Sequence, residues 1–193
     1  MKKKSISIIT KIMLVMAVVV CSITMTKTSE THANNLRVGD VLGNVLNTDI
    51  RVFIDDVQIM GYNIGGWTYV VAEELAAYGF AVHWNPTART LEINRGASIL
   101  QPQHVPANLA PIGSIAFPFL HTDIVTHVRT GSGLLPIHSY NINGRTVVRI
   151  DDVAQHFGTI HWNPTARQLR VTTTPITPVP PIGNLTPPTA QNI

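Results

Sequence analysis

The chain has 193 residues, of which 14 are Lys or Arg and 11 are Asp or Glu, so its formal net charge is +3. Five of these cations and one acidic residue precede residue 34, which leaves nine Arg against ten acidic side chains in the rest of the chain. Because binding to phosphate backbones needs clustered positive charge, this balance argues against a nucleic-acid partner. The single cysteine, Cys21, also lies in the N-terminal stretch, so the remainder has no disulfide and no thiol chemistry.

Residues 1–33 have the features of a secretory signal. Lysines at 2–4 precede an apolar run over 12–25, which is shorter than a membrane-spanning helix needs to be. Small residues favour cleavage after Ala33. We therefore expect a secreted, extracellular protein, free or attached to the cell wall, with no membrane span after cleavage. An uncleaved anchor is the alternative, and a lipoprotein is disfavoured because the residue before Cys21 is too large.

Residues 34–95 are predicted to form three strands, a short helix and a closing hairpin, after a polar lead-in that ends at residue 47. Alternation of apolar and polar side chains is typical of half-buried strands. The pairs Asp55-Asp56 and Gly65-Gly66 favour tight turns between these strands. The three predicted strands cover residues 50–54, 57–64 and 67–71.

A short apolar stripe predicts the helix. Ala72, Leu75, Ala76 and Gly79 recur at helical spacing. The acidic pair Glu73-Glu74 opens the helix, where the helix dipole favours negative charge.

The heptapeptide His-Trp-Asn-Pro-Thr-Ala-Arg at 83–89 predicts the closing hairpin, with its Asn and Pro in the turn. Alternation places Trp84 on the same face as Val82 and Leu91, so we expect a Trp packed in the core. The competing hypothesis is an exposed Trp that serves as a ligand platform.

The same heptapeptide returns unchanged at 161–167, at an offset of 78 residues, which indicates a duplicated unit. The tripeptide Thr-Asp-Ile at 48–50 returns at 122–124, where the offset is 74. The second copy therefore has four extra residues, and the predicted hairpin tip at 131–133 is the place where an insertion is best tolerated.

The fold class predicted from this duplication is α+β. Two repeated small units, at 34–95 and 120–172, would each form an antiparallel β-sheet with one short helix, in the order β-β-β-α-β-β. A Pro-rich connection at 96–119 links them and is expected to add an extended edge near 113–119. The Pro- and Thr-rich tail at 173–193 is predicted to be disordered, because it cannot bury a core.

Ordered landmarks occur at Thr48-Asp49-Ile50, Tyr62-Asn63-Ile64, 68–75, Tyr78-Gly79-Phe80 and 84–93, with counterparts at 122–124, 139–144, 148–153 and 162–171. These landmarks resemble the stalk domain, also called the copper amine oxidase N-terminal-like domain, of secreted proteins from Gram-positive bacteria. The resemblance covers 45–95 and 120–172 and implies small α+β units that act as non-catalytic appendages. The oxidase quinone motif and a His-x-His copper pair are absent from the sequence.

The sequence offers no catalytic or metal constellation. No two His after residue 33 share the i,i+2 or i,i+4 spacing typical of metal ligands, so neither a metal site nor a cofactor is predicted. A turn and two helix starts explain the acidic pairs Asp55-Asp56, Glu73-Glu74 and Asp151-Asp152 better than catalysis does.

These patterns predict a non-enzymatic, stalk-type module that acts in binding or spacing at the cell surface. Its partner would be wall polysaccharide or a surface protein. The alternative is a carbohydrate- or peptidoglycan-binding protein that uses exposed aromatic side chains, and a wall hydrolase is ranked last. The candidate ligand-binding residues are Trp67, Tyr69, Trp84 and Trp162.

Overall fold

A computed structural model describes residues 36–97 and 100–175 of the chain. The predicted signal and most of the predicted tail lie outside these residues. The described residues are mostly β-sheet with two short helices, which agrees with the predicted combination of sheet and a small helical part. The first half contains β1 (Val41–Leu46), β2 (Arg51–Ile54), β3 (Val57–Ile59), β4 (Tyr62–Ile64), β5 (Trp67–Val71), β6 (Phe80–Asn85) and β7 (Thr90–Arg95), with a first helix at Ala72–Ala77.

The second half repeats this order of strands and helix. It contains β8 (Ile115–Leu120), β9 (Val125–Thr130), β10 (Gly133–Ile137), β11 (Ser139–Ile142), β12 (Arg145–Arg149), β13 (Gly158–Asn163) and β14 (Gln168–Thr173), with a second helix at Ile150–Ala154.

Most predicted elements are present, with three differences. The first helix has 3₁₀ geometry. The segment described only as a polar lead-in contains β1, which pairs with β8, the extended edge predicted in the connection. The single strand predicted over 57–64 is two strands, because the chain passes from one sheet to another at Met60 and Gly61. Glycine is required at this crossing, since a Cβ on Gly61 would lie 2.6 Å from Cγ2 of Val52.

Three sheets organise the described residues. Six strands close a barrel in the order β1-β4-β5-β12-β11-β8. Two four-stranded sheets have the orders β10-β9-β7-β6 and β13-β14-β2-β3. Strands β6 and β13 therefore lie at sheet edges, and each contains the first three residues of one copy of the heptapeptide.

Each of these sheets contains strands from both sequence copies, so the prediction of a separate antiparallel sheet for each copy is wrong. Strand β7 runs parallel to β9 with Leu91 opposite Thr126, and β14 runs parallel to β2 with Leu169 opposite Val52. Strands β5 and β12 join the halves inside the barrel, where Val70 pairs with Val148. The closing hairpin of each copy thus completes the sheet of the other copy, which buries more apolar surface than a hairpin folded back alone.

Two hydrophobic cores result from this exchange. The larger core lies where both four-stranded sheets, both helices and the outer side of the barrel pack together. The smaller core fills the barrel interior with Val45, Ile64, Tyr69, Val71, Phe119, Ile142 and Val147. Residues of the larger core that are almost fully buried include Val52, Ile54, Ile59, Val70, Leu75, Phe80, Leu91, Ile93, Val128, Val148, Ile150 and Val153.

Turn chemistry explains the repeated tripeptide Tyr-Asn-Ile. The side-chain oxygens of Asn63 and Asn141 accept the backbone N–H of Gly66 and Gly144, three residues on, at 3.2 and 3.0 Å. Both glycines have positive φ, of 86° and 82°, a region that costs Gly little. The same turn is therefore built twice, at the two hairpins of the barrel.

The described part of the chain has no helix that is long and apolar enough to cross a membrane. Its two helices are six and five residues long, and acidic pairs open both of them, as predicted. Both helices pack their apolar side into the larger core, through Leu75 in the first and Val153 in the second.

We expect Thr126→Val to raise the free energy of unfolding by about 1–2 kcal/mol, because burying a hydroxyl without a hydrogen bond carries a penalty of that order. Thr126 is fully buried, and within the described residues its Oγ1 has no hydrogen-bond partner. Val52 holds the matching place opposite Leu169, so a valine fits this environment. Chemical denaturation measures the change. Thr126→Ser is the control, because it keeps the hydroxyl and removes a methyl group, and it should lower stability.

Candidate functional site

The four aromatic candidates differ in exposure. Trp67, Trp84 and Trp162 are 52%, 45% and 41% exposed, whereas Tyr69 is 6% exposed. None of the Trp rings stacks on another aromatic ring in the described residues, where the stacked pairs are formed by Phe and Tyr. Three of the four predicted residues therefore present apolar surface to solvent, and the stacking pattern does not join them in one aromatic cluster.

The prediction that Trp84 and Trp162 are packed core residues is wrong. Each residue lies opposite a buried leucine, Leu91 or Leu169, on the face that alternation predicts. Strands β6 and β13 are edge strands, however, and each Trp is the penultimate residue before the hairpin tip. Among the described residues no further strand pairs with the outer edge of β6 or β13, and about half of each indole stays in contact with water.

The prediction of an exposed Tyr69 is also wrong. Tyr69 belongs to the core of the barrel, where its ring centroid lies 5.5 Å from that of Tyr140. Burial raises the pKa of Tyr69 to about 12, and the neighbouring Tyr140 contributes to the shift. Alternation along β5 explains this position, because Tyr69 and Val71 point into the barrel while Val70 points into the larger core. Tyr69 is therefore not available as a surface platform.

Trp67 contacts a cation that sequence reasoning did not identify. The guanidinium carbon of Arg149 lies 4.2 Å from the centroid of the Trp67 ring. Arg149 also forms an ion pair with Asp152 in the first turn of the second helix. The pairing of β5 with β12 creates this group, and no spacing along the chain could have predicted it. One face of Trp67 is covered by Arg149, which leaves less of the ring for a ligand.

The repeated heptapeptide and the repeated Thr-Asp-Ile tripeptide contact each other across the two copies. Arg89 of the first heptapeptide binds Asp123 through Nε and Nη2, at 2.6 and 2.5 Å. Arg167 of the second heptapeptide donates to Asp49 at 2.6 Å. Each arginine lowers the pKa of its aspartate, chiefly through this hydrogen bond. The two motifs thus join the exchanged hairpins, a structural role that accounts for their repetition.

Three cavities of about 260, 390 and 370 Å³ lie where the connection crosses the first copy. Met60 and Pro106 line all three, and no Trp lines any of them. The first cavity also contains Tyr62, Glu74 and His104, a mixture of polar groups without paired carboxylates. These spaces are gaps between the Pro-rich connection and the sheets, and they are separate from the exposed tryptophans.

The acidic pairs occupy the structural positions that the sequence indicated. Asp55 and Asp56 form the β2–β3 turn with positive φ of 46° and 66°. Asp55 accepts the backbone N–H of Thr173 at 2.7 Å, and Asp56 pairs with Arg170 at 2.6 Å. In the described residues, no group of three His, Cys, Asp or Glu side chains is arranged to hold a metal ion as it stands.

Exposed tryptophans at the two hairpin ends are thus a surface feature that both copies share. Comparisons with protein-family models, with curated proteins and with solved structures find no match for this chain.

Proposed function

We propose that this chain is a secreted or cell-wall-associated, non-catalytic module of the stalk type, and that it acts by binding at the cell surface. The signal-like N-terminus, the duplicated unit and the ordered landmarks of the stalk domain support this proposal. In this view, each stalk-type repeat lends its closing hairpin to the other. The exposed tryptophans favour binding over a role as a spacer, because a spacer has no need of apolar side chains in water.

The observation that carries the proposal is the matching exposure of Trp84 and Trp162 at the same place in the two sequence copies. An indole in this position offers a flat apolar face for the C–H groups of a sugar ring, and its N–H can donate to a hydroxyl. Two equal contacts on one chain suit a polymer with repeating units, since the second contact benefits from the first. Wall polysaccharide is therefore the partner that we favour.

The other candidate functions predict different surfaces. If the chain is a spacer, replacing both tryptophans would not reduce its binding to cell wall. A wall hydrolase needs two carboxylates that face each other across a cleft, and the acidic pairs in the described residues serve turns, helix starts and ion pairs instead. If the partner is a surface protein, the chain would capture it from membrane or wall extracts and would not bind purified polysaccharide.

We expect Trp84→Ala and Trp162→Ala each to weaken binding to purified cell wall while changing stability far less than the ~3–5 kcal/mol typical of a buried Trp. The double variant should lose more affinity than either single variant, because each single variant keeps one of the two Trp contacts and the double variant keeps neither. Sedimentation with wall polysaccharide measures binding, and thermal unfolding measures stability.

Leu109→Ala is the matched control, because Leu109 is 93% exposed and belongs to the connection and not to either hairpin. It should bind like the parent protein. Equal binding by the parent and the double variant would contradict the proposed platform. A large fall in the unfolding temperature of both single variants would indicate that the tryptophans stabilise the fold.

A further inference from the structure

We propose that His83, Glu92 and His127 form a surface binding site for a divalent transition-metal ion of the Zn²⁺ class. These residues lie on three neighbouring strands of one four-stranded sheet, β6, β7 and β9. His83 is directly opposite Glu92, and Glu92 is directly opposite His127. The pairing therefore sets a carboxylate between two imidazoles in one row across the sheet.

The geometry of a β-sheet makes this row suitable for a metal ion. Residues directly opposite each other on paired strands project to the same face, and neighbouring strands are about 4.8 Å apart. The two His backbones are thus separated by roughly 10 Å, and two imidazoles that lean towards the central carboxylate can span that distance. Two His nitrogens and one carboxylate oxygen, with water in the fourth position, form a ligand set that Zn²⁺ accepts.

None of the three residues is fully buried. His83 is exposed, and Glu92 and His127 are half-buried. Glu92 at present accepts hydrogen bonds from Nε and Nη2 of Arg129, the latter at 2.8 Å. The three groups do not converge on one point as they stand, and binding of a metal would require Glu92 to leave Arg129. Half of the Arg129 side chain is exposed, but its contact with Glu92 is bidentate, so Zn²⁺ has to compete with Arg129 for the carboxylate.

The other four-stranded sheet shows that the fold does not require this row. There His161 lies opposite Arg170, and Arg170 lies opposite Phe53. Arg170 and Phe53 thus hold the positions equivalent to Glu92 and His127, so this row has one imidazole and no carboxylate. The row of potential ligands belongs to one sheet only, and His161 provides a natural control for His83.

The test is a calorimetric titration of Zn²⁺ into tag-free protein. We expect one ion bound per chain, and at least about tenfold weaker binding in His83→Ala, His127→Ala and Glu92→Gln, since even the loss of an outer-shell partner costs 10–100-fold. His161→Ala should bind like the parent protein. Arg129→Gln should bind Zn²⁺ more tightly, because it frees the Glu92 carboxylate, a change that a merely structural role would not produce.

Circular dichroism shows whether each variant keeps the native fold, and Glu92→Gln, which preserves side-chain shape, carries the test if a histidine variant does not fold. Absence of binding by the parent would overturn the proposal. So would binding that survives in His83→Ala and His127→Ala, or an equal loss in His161→Ala. These results are independent of polysaccharide binding, which the tryptophan variants report.

Discussion

The two halves of this chain should fail to fold apart from each other as monomers and should fold when they are mixed. A cut between Leu109 and Ala110, in the exposed connection, yields one fragment with β1–β7 and another with β8–β14. Each fragment alone would leave β2 without its parallel partner β14, or β9 without β7. The barrel would also lose the pairings of β5 with β12 and of β1 with β8. Circular dichroism of each fragment and of an equimolar mixture measures this outcome.

The mixture should recover the spectrum and the cooperative unfolding of the intact chain, because every exchanged strand finds its partner again. Sedimentation should show a complex of one fragment of each kind. A first fragment that unfolds cooperatively as a monomer would contradict the strand exchange. A dimer of identical fragments would agree with it, since β5 and β12 carry matching positions at Val70 and Val148.

Local elements were predictable because short-range chemistry determines them. Asp55-Asp56 is a turn in the structure because both residues reach positive φ, which Asp tolerates well. The stripe from Ala72 to Leu75 predicted a helix because the apolar spacing repeats once per turn, and the side chains of both residues are fully buried. The extra residues of the second copy lengthen the β9–β10 hairpin, whose tip lies at Gly131 and Ser132.

Strand partners were not predictable, because alternation states which face a strand buries and not which strand lies beside it. Both copies carry the same pattern around Leu91 and Leu169, so pairing within a copy and pairing between copies agree equally well with the sequence. Strand β1 was missed for a different reason. Gly43 and Asn44 interrupt its apolar pattern, and a Cβ on Gly43 would lie 2.7 Å from Cε1 of Phe119.

The candidate sites likewise depend on strand pairing, which the sequence alone does not predict. The exposure of Trp84 follows from the edge position of β6, which depends on the order of strands and not on the sequence of the hairpin. The row of His83, Glu92 and His127 and the contact of Arg149 with Trp67 both depend on pairings between the halves. Sequence spacing can identify ligands on one strand or helix, and it does not identify a group assembled from three strands.

Phe80→Ala should lower the free energy of unfolding by ~3–5 kcal/mol, the range for truncating a buried Phe. Such a loss is a large part of the ~5–15 kcal/mol that holds a domain folded. Phe80 is fully buried, and its ring meets that of Phe157 edge to face at 5.7 Å and 67°. The guanidinium carbon of Arg95 lies 5.1 Å from the same ring. Truncation would leave a cavity beside Phe157 and remove both contacts.

Two controls on the same protein make this experiment specific. Phe80→Leu keeps most of the apolar volume, so its cost should stay below about 1.5 kcal/mol. Trp84→Ala removes a larger side chain from the same face of the same strand, yet it should cost much less, because the indole is about half exposed. Denaturant unfolding of the three variants ranks their losses in free energy of unfolding. A smaller loss for Phe80→Ala than for Trp84→Ala would mean that the core of this sheet lies at its hairpin end and not beside the helices.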